Sequence, residues 1–263
     1  MTPRAWRALV VDDNAINLEV AVDLLVHLGL QTDSASDGAQ AVAQAQAVAY
    51  DLIVMDVQMP GMDGREATRR IRRAGGPQPP IIALTANADA NANDRVACLA
   101  AGMNDYLCKP VQPTLLLQTL QRCLPGWVAA DHLQPAGLES GGLAGRLAAI
   151  NDFDLASSLN NLGGQLPQLE RVLQRFAQTY RSGEPRLLQA ASQGETAELW
   201  QVCHSLRGAC AVLCATALVQ QIEALEAALG EPLSAAELLD RVRPLQAKLL
   251  ALARQLDAAL ASA

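Results

Sequence analysis

Short apolar runs punctuate the first half of the chain, and each stops abruptly at polar residues. Ala8–Val11 ends in Asp12-Asp13-Asn14, Leu52–Met55 in Asp56, Ile81–Leu84 in Thr85, and Asp105–Cys108 in Lys109-Pro110. Four-residue apolar runs bounded by turn residues read as strands buried on both faces. A further, shorter strand is predicted near Gln31–Ser34. Helical spacing fills the gaps, so strand and helix alternate five times. This order predicts an α/β domain, a doubly wound parallel sheet of five strands with helices on both faces. Its first helix, Asn14–Leu28, carries Leu18, Ala21, Val22, Leu25 and Leu28 as a core stripe. Ile16 and Val20 then fall on the opposite face beside Glu19, Asp23 and His27, with His27 read as a solvated surface residue. Those two apolar residues are either a docking patch or the isolated exposed apolar residues common on any surface.

After Cys123 the pattern lapses. Leu124-Pro125-Gly126 stops the preceding helix, and Trp127–Gly145 is rich in Gly, Pro and Ala without a clear period. Residues 125–145 read as a linker, which if flexible spans roughly 25 Å. Docking of Trp127 or Leu133 on a neighbour would shorten it, and His132 reads as a surface residue. From Arg146 onward only helical spacing appears, over Phe153–Leu162, Pro167–Ser182, Glu184–Ser192, Thr196–Leu213, Ala217–Leu229 and Ser234–Ala261. Short connections between long helices predict an all-α antiparallel four-helix bundle. The expected organisation is therefore one domain over 1–124, the linker, and a second domain over 146–263.

Charge and composition remove several function classes. A net charge of −7 over 263 residues, with Lys and Arg scattered except at Arg65–Arg73, argues against a nucleic-acid surface. No apolar run approaches the length of a membrane span, and the N-terminal one is too short for a signal peptide. Membrane contact is thus not expected. The six cysteines lack framework spacing, which predicts reduced thiols in a cytoplasmic protein.

Two stretches carry candidate chemistry. Asp56, at the tip of a buried strand, either terminates that strand or stands where open parallel sheets bind ligands. The second stretch is His204-Ser-Leu-Arg-Gly208. At 100° per residue, Leu199, Val202, Cys203, Leu206, Cys210 and Leu213 form the core stripe. His204, Arg207, Gly208 and Ala211 form another, so the imidazole is expected to project outward. A glycine in mid-helix costs about 1 kcal/mol relative to alanine. Removing bulk one turn from His204 would let another protein approach the ring closely, with Arg207 balancing anionic charge there. The plainer reading is an exposed histidine beside an accidental glycine. A metal site of Cys203, His204, Cys210 and Cys214 is disfavoured, because the cysteines share the core stripe and the histidine does not.

The acidic pair Asp12-Asp13, the run Met55-Asp-Val-Gln-Met-Pro-Gly-Met-Asp-Gly64, Thr85-Ala86 and Lys109-Pro110 occur in an order and spacing that resemble the response-regulator receiver family. That likeness covers roughly the first 124 residues. Residues 146–229 resemble histidine-containing phosphotransfer (HPt) domains at Phe153-Asp154, Leu162-Gly163-Gly164, Leu169–Phe176, His204–Gly208 and Ile222–Leu229. They depart from that family at Arg207, where lysine is frequent, and near Ala211 and Cys214, where small residues are. The resemblance implies a flavodoxin-like sheet of strand order 2-1-3-4-5 and Mg²⁺ as cofactor. It implies that Asp13, Asp56 and the main-chain carbonyl of Gln58 ligate the metal, with Asp12 acting directly or through water. Asp56 is implied as the nucleophile that takes a phosphoryl group from a donor phosphohistidine. Lys109 and Thr85 would hold the transferring oxygens, a cis Lys109-Pro110 peptide would aim the lysine, and Tyr106 would turn inward when Thr85 moves. His204 is implied as the second acceptor, flanked by Arg207 and Gly208.

The function so implied is a phosphorelay protein between an upstream sensor histidine kinase and a downstream response-regulator receiver. The alternative is the C-terminal part of a longer hybrid sensor histidine kinase. These residues supply no glycine-rich ATP lid, so kinase activity proper would need a longer protein. A phosphatase of the haloacid-dehalogenase type would want a second aspartate at the place of Gln58. A DNA-binding regulator would need a basic recognition helix in the second half.

Overall fold

The computed structural model describes residues 5–76, 78–85, 92–130 and 142–261. His132, Leu133 and the middle of the expected linker lie outside these. The chain divides into two compact units, one containing a sheet and one helical.

The first unit runs β1 (Arg7–Val11), α1 (Ala15–His27), β2 (Gln31–Ala35), α2 (Gly38–Ala47), β3 (Leu52–Asp56), α3 (Gly64–Arg73), β4 (Ile81–Thr85), α4 (Ala92–Ala101), β5 (Asp105–Cys108) and α5 (Pro113–Cys123). Every strand pairing is parallel and the order is β2-β1-β3-β4-β5, as the resemblance implied. The continuous apolar runs are what a sheet covered on both faces requires. Ala8–Val11, Leu52–Met55 and Ile81–Leu84 are all buried. Register then aligns the strand ends. Val11 lies opposite Met55, Asp56 opposite Leu84, and Thr85 opposite Cys108. The polar residue after each run therefore emerges at one edge, where β1 and β3 diverge in connection, the usual ligand position of such sheets.

Side chains fix the helix starts. Asn14 accepts from the N–H groups of Ile16 and Asn17, Asp37 from that of Gln40, and Asp63 from that of Glu66. Each satisfies donors that the first helical turn leaves without a partner. The phase of α1 differs from expectation. Its buried residues are Ile16, Asn17, Val20, Ala21, Leu24 and Leu25, whereas Leu18 and Val22 are only half-buried. Ile16 and Val20 are thus core residues, 1% and 3% exposed, and form no docking patch. The stripe beginning at Ile16 runs i, i+4, i+8 through Val20 and Leu24, and α1 lays that stripe on the sheet. His27 is half-buried rather than solvated. Truncating Ile16 to Ala is expected to cost about 2–5 kcal/mol, as buried large-to-small changes do. Urea unfolding of the first unit measures it, and a loss below about 0.5 kcal/mol, the range of surface changes, would return Ile16 to the surface.

The segment after α5 is not wholly free. Trp127 is buried, its N–H donates to Leu124 O at 3.0 Å, and Ala130 N–H donates to Leu28 O at 3.2 Å. The start of the expected linker therefore lies against the end of α1.

The second unit comprises α6 (Leu143–Ala148), α7 (Leu155–Asn161), α8 (Leu166–Thr179), α9 (Pro185–Gln193), α10 (Thr196–Val212), α11 (Thr216–Ala228) and α12 (Ala235–Ala261). Six of these match the expected helices to within three residues at either end. The seventh, α6, begins inside the expected linker and packs against α12. The long α12 buries Leu238, Val242, Leu245, Leu249, Leu252 and Leu256, a stripe at three- and four-residue spacing. It is the spine against which α8, α9 and α11 pack, while α10 packs on α9 and α11. Just past α10, Cys214 takes a left-handed conformation with φ 49°, a position glycine fills more readily. Among the described residues, no helix is long and apolar enough to cross a membrane.

Candidate functional site

Two groups of polar side chains are built into these frames, one in each unit. The first sits at the carboxyl edge of the sheet. Asp12 and Asp56 are each 1% exposed and Asp13 is half-buried. One carboxylate oxygen from each lies within 4.8 Å of the others. Lys109 Nζ stands 2.6 Å from Asp12 Oδ2 and 2.6 Å from Asp56 Oδ2. The Lys109-Pro110 peptide is cis, and the main-chain N–H of Lys109 donates to Thr85 O at 2.7 Å.

The remaining lone pairs are partly fixed. Asp12 Oδ1 accepts from Asn14 N–H at 2.9 Å and from Asn17 Nδ2 at 3.3 Å, and Asp56 Oδ1 accepts from Gln58 N–H at 3.1 Å. Gly64 allows the loop after β3 to return tightly, since any side chain there would collide with the main-chain oxygen of Asp56. Three carboxylates and one ammonium leave this buried edge short of positive charge. Burial pushes the Asp56 carboxyl up to about 7, with Asp12 adding to the rise and Lys109 opposing it. Burial disfavours the charge on Lys109, but Asp12 and Asp56 outweigh it and hold the ammonium above its ordinary range. Like charges this close favour a cation among them, and an all-oxygen donor set suits a hard one.

Thr85 and Tyr106 flank this edge. Thr85 is half-buried with its hydroxyl 4.0 Å from Cys108 Sγ. Tyr106 is half-buried against the core, with the Arg95 guanidinium 5.2 Å above its ring. Sequence reasoning gathered all the residues of this edge except Asn14 and Asn17, which orient Asp12. Asn17 offered a signal, a side-chain amide five residues after Asp12 on the first turn of a helix, whereas the bond from Asn14 is made by its main-chain N–H, which almost any residue there would supply.

The second group surrounds His204 on α10. Leu199, Val202, Cys203, Leu206, Cys210 and Leu213 are all buried, as expected of the core stripe. His204, however, is only 6% exposed and does not project bare into solvent. The Trp200 ring, one turn earlier, stacks on it with centroids 5.1 Å apart and 16° between planes. Arg207 Nη2 lies 3.3 Å from His204 Nδ1, and Glu226 of α11 places Oε1 at 3.9 Å from the same nitrogen. Arg207 in turn reaches Glu226 Oε2 at 3.2 Å and Glu223 Oε1 at 3.7 Å. Gly208 is buried too, not part of a bare face. A wheel drawn from one helix cannot include α11, whose carboxylates lie along the histidine side of α10, and it leaves out the reach of an indole. Burial pushes the Glu226 carboxyl up to about 6, against the pull of Arg207, while Glu223 adds to the rise.

None of the six cysteines is in a disulfide. Burial pushes the Cys203 and Cys210 thiols up to about 12, so both behave as small apolar groups. Among the described residues, only the Asp12, Asp13 and Asp56 group brings His, Cys, Asp or Glu ligand atoms close enough to share a metal ion.

Comparison with known proteins covers both units unequally. The family model described as response regulator receiver domain matches residues 8–121. Sensor protein GacS of Pseudomonas syringae pv. syringae is 44% identical over 140 residues, 52% of this chain and 15% of that protein. Sensor protein EvgS of Escherichia coli K12 is 31% identical over 211 residues, 80% of this chain and 16% of that protein. The latter match includes residues of the helical unit, and the chain spans only about a sixth of either relative's length. Among solved structures, the receiver domain of sensor histidine kinase PA1611 from Pseudomonas aeruginosa PAO1 has magnesium coordinated in its active-site cleft. It is 45% identical, covers 46% of this chain and 98% of its own, and superposes with a TM-score of 0.42.

Proposed function

Because residues 8–121 are a response regulator receiver domain, we propose that this chain is a phosphorelay component that passes a phosphoryl group between Asp56 and His204. The observation that carries the reading is the ammonium of Lys109 at 2.6 Å from both Asp12 and Asp56. In the transfer, the Asp56 carboxylate attacks the phosphorus of a donor phosphohistidine in line. The new O–P bond forms as the N–P bond breaks, and its electron pair returns to the donor imidazole. Lys109 and the Thr85 hydroxyl hold the transferring oxygens, so the chemistry is mostly positioning and charge neutralisation. Asn14 and Asn17 keep Asp12 from rotating away. Magnesium, held by Asp12, Asp13, Asp56 and the Gln58 carbonyl, would supply the positive charge that the three carboxylates call for.

The helical unit resembles an HPt domain, and His204 with Arg207 and Gly208 is its acceptor site. The upstream partner is then a sensor histidine kinase and the downstream one another receiver. The same match to GacS and EvgS supports the alternative context, a C-terminal segment of a longer hybrid sensor kinase. Intact-mass and site mapping after incubation with acetyl phosphate and Mg²⁺ tests the core reading. Phosphate on Asp56 and then on His204 is expected, and neither residue modified would overturn it.

Metal binding has a second signature. The folded Asp56 carboxyl, at about 7, holds its proton more tightly than at its ordinary 3.8. The contribution of this one group to folding of the metal-free chain is therefore largest at low pH and is lost as pH rises through about 7. Mg²⁺ binds the ionised carboxylates, so it should raise the first unit's melting temperature more at pH 8 than at pH 5. Equal shifts at the two pH values would count against Asp56 as a ligand.

A further inference from the structure

Two charged side chains and an aromatic one adjoin His204. Arg207 Nη2 points its donors at Nδ1 from 3.3 Å, and Glu226 Oε1 lies 3.9 Å from the same nitrogen. Those two also pair with each other at 3.2 Å, so their effects on any charge carried by the ring oppose one another. Trp200 has no such opponent. It stands one turn before His204 on α10, where side chains four residues apart meet. Its ring lies 16° from parallel to the imidazole at a centroid distance of 5.1 Å and covers one face. The indole face carries the negative lobe of its quadrupole, and so attracts a ring that turns positive more than a neutral one. Trp200 is half-buried and His204 is 6% exposed, so little water stands by to screen that attraction.

We infer that Trp200 is a positioning residue: acting through His204, its indole favours the positively charged, phosphorylated ring and so holds the phosphoryl group there against return to an aspartate. This role rests on the phosphotransfer reading of His204 and deepens it. In the transfer, the lone pair of the unprotonated ring nitrogen attacks phosphorus and an N–P bond forms. The O–P bond to the donor aspartate breaks, its electron pair staying on the carboxylate. The proton on the other nitrogen remains where it is, so the ring gains a positive charge. The attacking lone pair lies in the plane of the ring. The phosphoryl group therefore arrives at an edge, not at the face that the indole covers, and the stack persists through the step. The reverse transfer discharges the ring and gives up the attraction. An aliphatic side chain at the same place would exclude water too, but it would not tell the two charge states apart.

The test uses the full chain with Trp6→Phe and Trp127→Phe, which leave Trp200 as its one indole. Tryptophan is supplied during expression in its ordinary, 5-fluoro or 5,7-difluoro form. Fluorine withdraws charge from the indole face at nearly constant shape. After incubation with acetyl phosphate and Mg²⁺, site-resolved mass spectrometry gives the ratio of phosphate on His204 to phosphate on Asp56. That ratio should fall stepwise with one and two fluorines. Trp200→Leu should lower it about fivefold, the factor that a cation–π contact near the surface represents, and Trp200→Phe should keep part of the effect. An equal ratio in all three indole forms overturns the inference, even where Trp200→Leu lowers it, since loss of cover alone would then suffice. A higher ratio in Trp200→Leu also overturns it and makes the indole a lid. Absence of label from His204 in every form takes down the phosphotransfer reading and this role with it, whereas labelled His204 with a flat fluorine series removes this role alone.

Discussion

Asp56→Asn is expected to abolish labelling of the first unit by acetyl phosphate in the presence of Mg²⁺, a loss of at least about a thousandfold. The amide lacks the charge and nucleophilicity of the carboxylate, yet it preserves shape. Its carbonyl can still accept from Gln58 N–H, the bond that Asp56 Oδ1 receives at 3.1 Å. Lys109 keeps its contact with Asp12. Folding should survive for a further reason: the substitution removes a buried charge whose desolvation raises its pKa to about 7. Unfolding curves of the metal-free variant should therefore match or exceed wild type. Persistent Mg²⁺-dependent label in a well-folded Asp56→Asn protein would falsify the assignment of the nucleophile.

His204→Gln carries the second large effect. Label should accumulate on Asp56 at the wild-type rate, while its passage to a downstream receiver falls to background, again by about a thousandfold or more. Glutamine fits the helix and approximates the imidazole's reach, but it has no nitrogen lone pair able to attack phosphorus. Because Trp200 stacks on the ring and Arg207 contacts Nδ1, a modest loss of stability is also expected. Helicity and the melt of the second unit provide that control. Label that still reaches a receiver at the wild-type rate would place the second acceptor elsewhere.

The burial of His204 changes what docking must accomplish. An exposed imidazole needs only an approaching surface, whereas this ring lies under an indole and beside an Arg–Glu pair. Under the phosphotransfer role proposed for His204, a partner receiver would have to displace Trp200 or approach along the uncovered edge of the ring. Trp200 is one of three tryptophans, with Trp6 and Trp127 in the other unit, so Trp6→Phe and Trp127→Phe leave it as a fluorescent reporter of that displacement.

Much of this protein was determined locally. Buried parallel strands must be apolar on both sides, so β1, β3 and β4 announced themselves as runs, and the residue ending each run had to be polar. Parallel pairing in register then needed little more to bring Asp12, Asp56, Thr85 and Lys109 to one edge. The helices of the second unit were legible for a related reason: glycine, proline and capping residues interrupt the three-to-four-residue apolar spacing at nearly every true end.

What the sequence left open depends on neighbours distant along the chain. A helical wheel gives the angle between side chains but not the direction in which the helix faces, and α1 illustrates the gap. Ile16 and Val20 share a stripe with Leu24, yet only the sheet beneath α1 decides that this stripe, not the one through Leu18 and Val22, is buried. The same holds at His204. Local periodicity separated it correctly from Leu206 and Cys210, but the angle from a core stripe is not exposure. Glu226, twenty-two residues further along and on another helix, closes on the ring from α11. Burial is a property of the whole packed assembly, because an atom leaves water only when something else occupies that space, and for these residues the occupant comes from a different element of the fold.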